Sequence, residues 1–414
     1  MSDSPFILAI DLGTSGPKVA LVSGEGEVIA ADFERVEQIF LPGGGAEQRP
    51  EDWWTAIVTA TRRLLAGGRV GAADIAAICC TSLYSTTVPV GEDGRPLANA
   101  IMWMDTRGAP YVRRLVGGVP SVEGYGLGKL IPWLRLTGGV PTRSGKDSLA
   151  HILYLKHEHP EIYRRARFFL EPKDYLNLRM CGRAAATYDS INLHWLTDNR
   201  DIHHIRYHER LLQMADVDGE KLPPLVSGLE VLGTLRPEAA EELGLRPEVR
   251  VVAGVTDAQS AAIGAGAIEN YVTYLYLGTS SWISCHVPFK KTDLLHNMAS
   301  LPSVLPGRYY VANEQECAGV CLDFLRESVL GMDLPSAEAY RALDRAAEEA
   351  PPGSGGVIFT PWLYGERTPI EDPNVRGGFF NLSLNTTRSE LIRAVFEGVA
   401  YNARWLLECV ERFV

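Results

Sequence analysis

Asp11, Gly13, Thr14 and Ser15 stand where an apolar run at 6–10 gives way to a turn, and a second apolar run follows at 19–22. Tyr276, Gly278, Thr279 and Ser280 repeat the layout 265 residues later, again between apolar segments. A tight Gly-Thr turn between paired strands aims several backbone N–H groups at one spot. Such a concavity suits phosphate, and two facing copies suit a polyphosphate. Only the first copy carries an acid, Asp11, and one carboxylate beside a phosphate cradle is what a bound Mg²⁺ requires. Gly13, Thr14, Ser15, Gly278 and Thr279 are therefore candidate phosphate contacts, and Lys18 can add positive charge there or stay solvated on the second strand.

Asp257 stands at a strand-to-helix junction, where a carboxylate can serve as a base or, with Asp11, as a metal ligand. It follows the apolar segment 249–253 and a Gly turn, and opens a helix of small residues. Such a position also suits a helix N-cap. A carboxylate here can take the proton of a hydroxyl as that hydroxyl attacks a phosphate. Carboxylates of ordinary pKa are weak bases, so orientation does more than basicity. Trp103, Asp105 and Arg107 look like a sugar site: an aromatic face stacks on C–H groups, while carboxylate and guanidinium bind hydroxyls. The competing reading is a core Trp beside a structural ion pair. Trp282 divides the same way between sugar and core. Gly319, opening a helix at 318–322, permits close backbone approach to a nucleotide, and Asp174 reads as structural.

Other patterns fail on spacing. Residues 138–147 resemble a Walker A loop but end in Asp147 instead of Ser or Thr. His204 and His208 lie four apart without an HExxH frame, and surface histidines are the better reading.

The elements that must position these residues are legible. Residues 6–11, 17–22 and 27–33 predict an antiparallel meander. Residues 51–66 predict a helix after Pro50, with Glu51 and Asp52 in its first turn. Segments 75–81 and 249–253 read as buried strands, 147–158 and 160–166 as helices, and 171–177 as a strand-to-helix junction. The polar stretch 196–210 reads as a surface loop plus a helix. Thr387 and Glu390 form a capping box before a stripe of Leu391, Val395, Val399, Leu406 and Val410. The helical pattern reaches the last residue, which predicts an incomplete second domain. The boundary falls near 260–266, giving an N-terminal domain 1–260 and a C-terminal domain 261–414.

At 414 residues and 46% hydrophobic content, two globular cores are the natural expectation. A net charge of −11 without a Lys/Arg run argues against nucleic-acid binding. Seven cysteines without a CxxC pair predict reduced thiols in a cytoplasmic protein. The N-terminus lacks a signal-peptide pattern, and no apolar run reaches membrane-spanning length, so no membrane partner is expected.

Seven motifs in order then resemble one family, the FGGY carbohydrate kinases, in its xylulokinase-like branch. They are AspLeuGlyThrSerGlyProLys (11–18), MetTrpMetAspThrArg (102–107), GluProLysAspTyrLeuAsn (171–177), AlaGlyValThrAspAla (253–258), LeuGlyThrSerSer (277–281), TyrGlyGluArgThrPro (364–369), and the stretch from 377–383 to GluGlyValAlaTyrAsn (397–402). The resemblance implies an α/β fold of two ribonuclease H-like (actin-like) domains with a cleft between them, sugar deep in the cleft, and ATP with Mg²⁺ mainly on the second domain. It implies that Asp257 is the base, and homodimers are common in the family. Two departures matter. A sugar-contacting Met-His pair of many xylulokinases falls on Tyr84 and Ser85, which puts xylulose specificity in doubt. A Gly-rich adenosine motif that follows the last helix in the family is absent from these 414 residues.

Three functions compete. The first is an ATP-dependent kinase of a ketopentose or a related ketose or polyol. The second is a sugar-binding pseudokinase or fragment without phosphoryl transfer. The third, a phosphatase or ATPase of the same superfamily, fits poorly with the sugar-side motifs.

Overall fold

The computed structural model describes residues 5–414 and divides into two compact units, Met1–Gly264 with Leu301–Arg308, and Ala265–Ser300 with Tyr309–Val414. In unit 1, β1 (Phe6–Gly13), β2 (Gly16–Val22) and β3 (Val28–Phe33) form the expected meander. Alternation along β1 buries Leu8, Ile10 and Leu12 on one face, and Val19 and Leu21 of β2 join them. Helix α1 (Pro50–Ala66) starts with Pro50 and acids Glu51 and Asp52 in its first turn. Its Trp53, Ile57, Ala60 and Leu64 belong to the same apolar core. β4 (Ile75–Ser82) then lies parallel to β1.

Helix α2 (Ser148–Glu158) and helix α3 (Pro172–Cys181) follow. Residues 196–210, expected as a surface loop plus a helix, differ. Thr197–Asp198 pairs with Arg206–Tyr207 as two short strands, Thr197 and Asn199 are almost fully buried, and the helix begins only at Glu209. Asn199 donates to the Thr137 carbonyl at 3.0 Å, which explains a polar residue inside. β5 (Val231–Thr234), α4 (Pro237–Leu243), β6 (Arg250–Thr256) and α5 (Asp257–Gly264) complete the unit. The six-stranded sheet runs β5-β6-β4-β1-β2-β3, with β6, β4 and β1 mutually parallel.

In unit 2 the second hairpin forms from β7 (Tyr274–Leu277) and β8 (Ser281–Ser284). Helix α6 (Ser336–Glu349) and the 26-residue α7 (Arg388–Phe413) share a core with Cys321, Leu325, Val357 and Phe359. The capping box is present: Thr387 Oγ1 accepts the Glu390 amide at 3.2 Å, and Glu390 returns a carboxylate to the Thr387 amide at 2.7 Å. The buried stripe of α7 is turned from the expected one. Ile392, Val395, Leu406 and Val410 are buried, while Leu391 and Val399 are only half-buried. Gly398, whose added Cβ would meet the Phe359 carbonyl at 2.3 Å, brings that side of the helix against the neighbouring strand.

Candidate functional site

Three parallel strands deliver the chemistry of unit 1 to one edge. Asp11 on β1 is in register with Thr81 on β4, which is in register with Val255 on β6; the next row is Leu12, Ser82 and Thr256. The C-terminal ends of these neighbours therefore carry Asp11 and its turn, the 83–87 loop, and Asp257. Two strand spacings separate Asp11 from the Asp257 strand, roughly 10 Å. Loops at the carboxyl ends of parallel strands are where α/β sheets bind ligands.

Gly254 shapes the approach to Asp257. Its φ is +78°, and an added Cβ would lie 2.0 Å from the Cys80 carbonyl on β4. The ladder slips there, between Val252 and Val255. Asp257 is the first residue of α5 rather than a cap before it, and its Oδ1 accepts the Ala258 amide at 2.7 Å. Asp11 keeps a half-exposed carboxylate, 3.6 Å from Lys18 Nζ across the β1–β2 pair. Lys18 thus sits beside the carboxylate as its counter-ion. Gly13, Thr14 and Ser15 form the tip between the strands, and Ser15 is exposed.

Trp103 is 40% exposed, and its indole nitrogen donates to Thr14 Oγ1 at 3.1 Å. Its amide donates to Thr86 Oγ1 at 3.2 Å. This residue therefore ties the first turn to the 82–87 loop and leaves a ring face for ligand. Asp105 and Arg107 do not fit the expected sugar role. Asp105 is fully buried, and its oxygens accept from the Ala46 amide, the Arg107 amide and the Arg107 guanidinium, each at 2.9 Å. Arg107 spends its remaining donors on Glu47 at 2.7 Å and the Tyr154 hydroxyl at 3.1 Å. These are the structural ion pair of the competing reading, and they fix the loop that presents Trp103. Ser85 is buried with φ of 60°, and its hydroxyl donates to the Lys146 carbonyl at 2.6 Å; Tyr84 beside it is half-buried.

Behind this edge lies a buried polar layer that the residue pattern did not reveal. Lys173 and Asp174 are both fully buried and paired at 2.5 Å. Asp174 also accepts the Ser190 hydroxyl at 2.7 Å, and Asn177 donates to the Ala253 carbonyl at 2.8 Å. Asp189 accepts the Thr256 amide at 2.7 Å. Glu171 accepts the Thr86 amide at 3.0 Å and the Ser148 hydroxyl, and burial pushes its pKa up to about 8 against those two bonds. His194 and His151 are buried nearby, and burial lowers them to about 3 and about 4. Asp174 had a legible signal, a charged pair opening a helix after a strand, and Glu171 heads the same 171–177 segment; Asp189 had none. Asp147, the end of the Walker-like stretch, accepts the Thr142 amide and the Trp195 indole, a structural duty.

In unit 2 the Gly278-Thr279 turn is braced by the chain around Gly319. The carbonyl of Gly278 accepts the Gly319 amide at 2.7 Å, and that of Thr279 accepts the Ala318 amide at 2.9 Å. With the carbonyls engaged by the following helical turn, Thr279 itself stays exposed. Trp282 stacks on Tyr276, ring centroids 3.8 Å apart, so much of its ring is taken up by the hairpin itself.

An acid-bearing edge of parallel strands and a duplicated Gly-Thr hairpin define a mixed α/β enzyme of the sugar-kinase class. The model of the FGGY family of carbohydrate kinases, N-terminal domain, matches residues 6–264, and that of the C-terminal domain matches 273–412. The chain belongs to this family and is a carbohydrate kinase. The C-terminal match ends at residue 412 of the chain's 414. The chain is 30% identical over 410 residues to a xylulose kinase of Bacillus subtilis, covering 99% of this chain and 77% of that protein. It is 25% identical to a gluconokinase of the same organism, covering 96% of this chain and 75% of the relative. A solved structure titled as a xyloylose kinase from Brucella ovis superposes with a TM-score of 0.86 at 26% identity, covering 98% and 79% of the two chains.

Kinases of this family use ATP with Mg²⁺, and the residues here fit both. Asp11 offers the oxygen donor that Mg²⁺ prefers, and its half-exposed carboxylate is held by a single long ion pair. Ser15 of the first turn and Thr279 of the second are exposed hydroxyls that suit phosphate, while the Gly278 amide is given to the Ser280 carbonyl at 2.9 Å. Among the described residues, no helix is long and apolar enough to cross a membrane.

Proposed function

We propose that this kinase transfers the γ-phosphate of ATP to a hydroxyl of a ketopentose such as xylulose, or of a related ketose or polyol, with Asp257 as general base. One observation supports this most: Asp257 opens a helix at the edge that also carries Asp11 and Trp103, and its turn is clamped by a buried carboxylate. The xylulose kinase relatives favour a ketopentose, while Tyr84 and Ser85 stand where many such kinases place Met-His.

Asp257 orients and deprotonates the attacking hydroxyl. Asp11 would hold Mg²⁺, with Asp257 two strands along the same edge as a second candidate carboxylate, and the ion would neutralise charge on the phosphates. Thr14, Ser15, Gly278 and Thr279 contact phosphate through amides and hydroxyls, Lys18 adds charge, and Gly319 sets the second turn. Trp103 stacks on the sugar, and Tyr84 and Ser85 shape its pocket.

A coupled ADP-release assay over a panel of ketoses, polyols and gluconate tests this reading. Turnover with a ketopentose that falls at least 1,000-fold in Asp257→Ala supports it, since such positioning and proton transfer contribute on the order of 10²–10⁴ or more. Thermal stabilisation by one sugar without turnover favours the pseudokinase instead. Activity of Asp257→Ala within tenfold of wild type sinks the base assignment.

A further inference from the structure

A cavity of unit 1, of about 800 Å³, is lined by five guanidinium groups, Arg95, Arg167, Arg179, Arg183 and Arg236, and by the carboxylates of Glu92, Asp93, Glu238 and Glu242. This concentration occurs in a chain of net charge −11. Its walls come from α1, the 91–95 turn, the strand Phe168–Leu170, α3 and α4. None of its residues belongs to the proposed catalytic machinery.

The arginines are poorly neutralised. Arg167, Arg179 and Arg236 face Glu92, Glu242 and Glu238 at 3.6, 3.9 and 3.7 Å, beyond hydrogen-bonding distance. Arg183 has a close acidic partner, Glu230 at 2.7 Å, and Arg167 gives one of its donors to the Glu220 carbonyl at 2.7 Å. The Arg95 guanidinium has no ion pair or hydrogen bond among the described residues. Two planes are pre-set by aromatic rings, Arg179 over Trp54 at 4.9 Å and Arg167 over Phe168 at 4.4 Å. The buried Tyr175 hydroxyl, also in the lining, lies beside Arg179 and has no hydrogen bond of good geometry among the described residues. Planar guanidinium forks with open donors match the oxygens of a phosphate group.

Helix α3 links this cavity to the proposed active edge. Tyr175, Leu178 and Arg179 line the cavity. Lys173, Asp174 and Asn177, on the opposite side at helical spacing, hold Ser190 and the Ala253 carbonyl just upstream of Asp257. A ligand that draws in Arg179 acts on a rigid element whose other side sets the β6 turn.

We propose that this cavity binds a small phosphate-bearing anion and that α3 couples its occupancy to the Asp257 turn. The binding claim stands by itself; the functional meaning of the coupling rests on Asp257 as the base.

The test uses inorganic pyrophosphate as probe, with calorimetry and hydrogen exchange on wild type and on the double variant Arg95→Ala/Arg236→Ala. Pyrophosphate also visits the Gly-Thr turns, and that binding is common to both proteins. The expected result is a second binding event in wild type that weakens at least tenfold in the double variant. Slowed exchange at residues 253–260 should be lost with it. An unchanged isotherm in the double variant overturns the site. Loss of the event with unchanged exchange at 253–260 overturns the coupling. ADP release by both proteins without pyrophosphate should be equal, and it reports on the kinase reading separately.

Discussion

Asp189 Oδ2 accepts the backbone amide of Thr256 at 2.7 Å, one residue before Asp257. Asp189 is almost fully buried, and its loop is locked by Ser190, whose hydroxyl bonds Asp174 and the Thr187 backbone. The carboxylate thereby sets where β6 ends and where the Asp257 side chain starts. If Asp257 is the base as proposed, Asp189 acts on it through one amide, as a positioning residue.

Asp189→Ala leaves the Thr256 amide buried without an acceptor, at a cost of about 1–3 kcal/mol in stability. Turnover should fall roughly 10- to 100-fold while sugar KM stays within threefold, because misorientation acts on the transition state. Asp189→Asn keeps an acceptor oxygen and should restore most of the turnover. A kcat for the Ala variant within twofold of wild type would refute the positioning role.

Trp103 donates its indole N–H to Thr14 Oγ1 at 3.1 Å, which ties the proposed sugar face to the proposed phosphate turn. Trp103→Ala removes the ring face, so sugar KM should rise about tenfold or more, with ATP KM within threefold. Trp103→Phe keeps a face and loses only the indole donor, so its sugar KM should lie between. Equal rises in both KM values would mean that the residue supports the phosphate turn and not the sugar.

The alternation in β1 and β2, the cap of α7 and the two Gly-Thr hairpins were legible because each is a local pattern that periodicity or turn chemistry enforces. Asp105 and Arg107 show the limit of such reading. Their types suit a sugar, yet Asp105 is sealed by the Ala46 amide from 59 residues away. The same holds for Asp189, whose partner lies 67 residues downstream, and for Lys173, wholly inside, whose amide donates to Ser82 Oγ 91 residues away. Buried polar partnerships across such separations leave no periodic trace. The turned stripe of α7 has the opposite cause: several spacings satisfy one helix, and Gly398 against the Phe359 carbonyl decides among them.

Gly319 has no room for a side chain. An added Cβ would lie 2.6 Å from the Gly278 carbonyl oxygen, a backbone atom that moves only with the Gly278-Thr279 turn. Gly319→Ala should therefore displace the Gly278-Thr279 turn, costing about 1–3 kcal/mol as overpacking. ATP KM should rise roughly tenfold with sugar KM nearly unchanged. Unaltered ATP KM at full occupancy of the folded state would show that this turn does not contact nucleotide.

Glu171 gives the pH dependence of stability a definite sign. Burial raises its pKa from 4.5 to about 8, so between those values the folded state holds a proton that the unfolded state has released. Stability from this group is complete below pH 4.5 and is lost as pH climbs through 8. His194 and His151 act oppositely: burial depresses both, so their contribution grows as pH rises and levels off above about 6.5. Above that point the Glu171 slope stands alone among the three, and wild type should lose about 1–2 kcal/mol between pH 6.5 and 8 at up to about 1.4 kcal/mol per unit. Glu171→Gln keeps a neutral group of the same shape and should flatten that decline. Urea unfolding of both proteins at the two pH values decides it. An equal decline in the Gln variant would place the proton elsewhere.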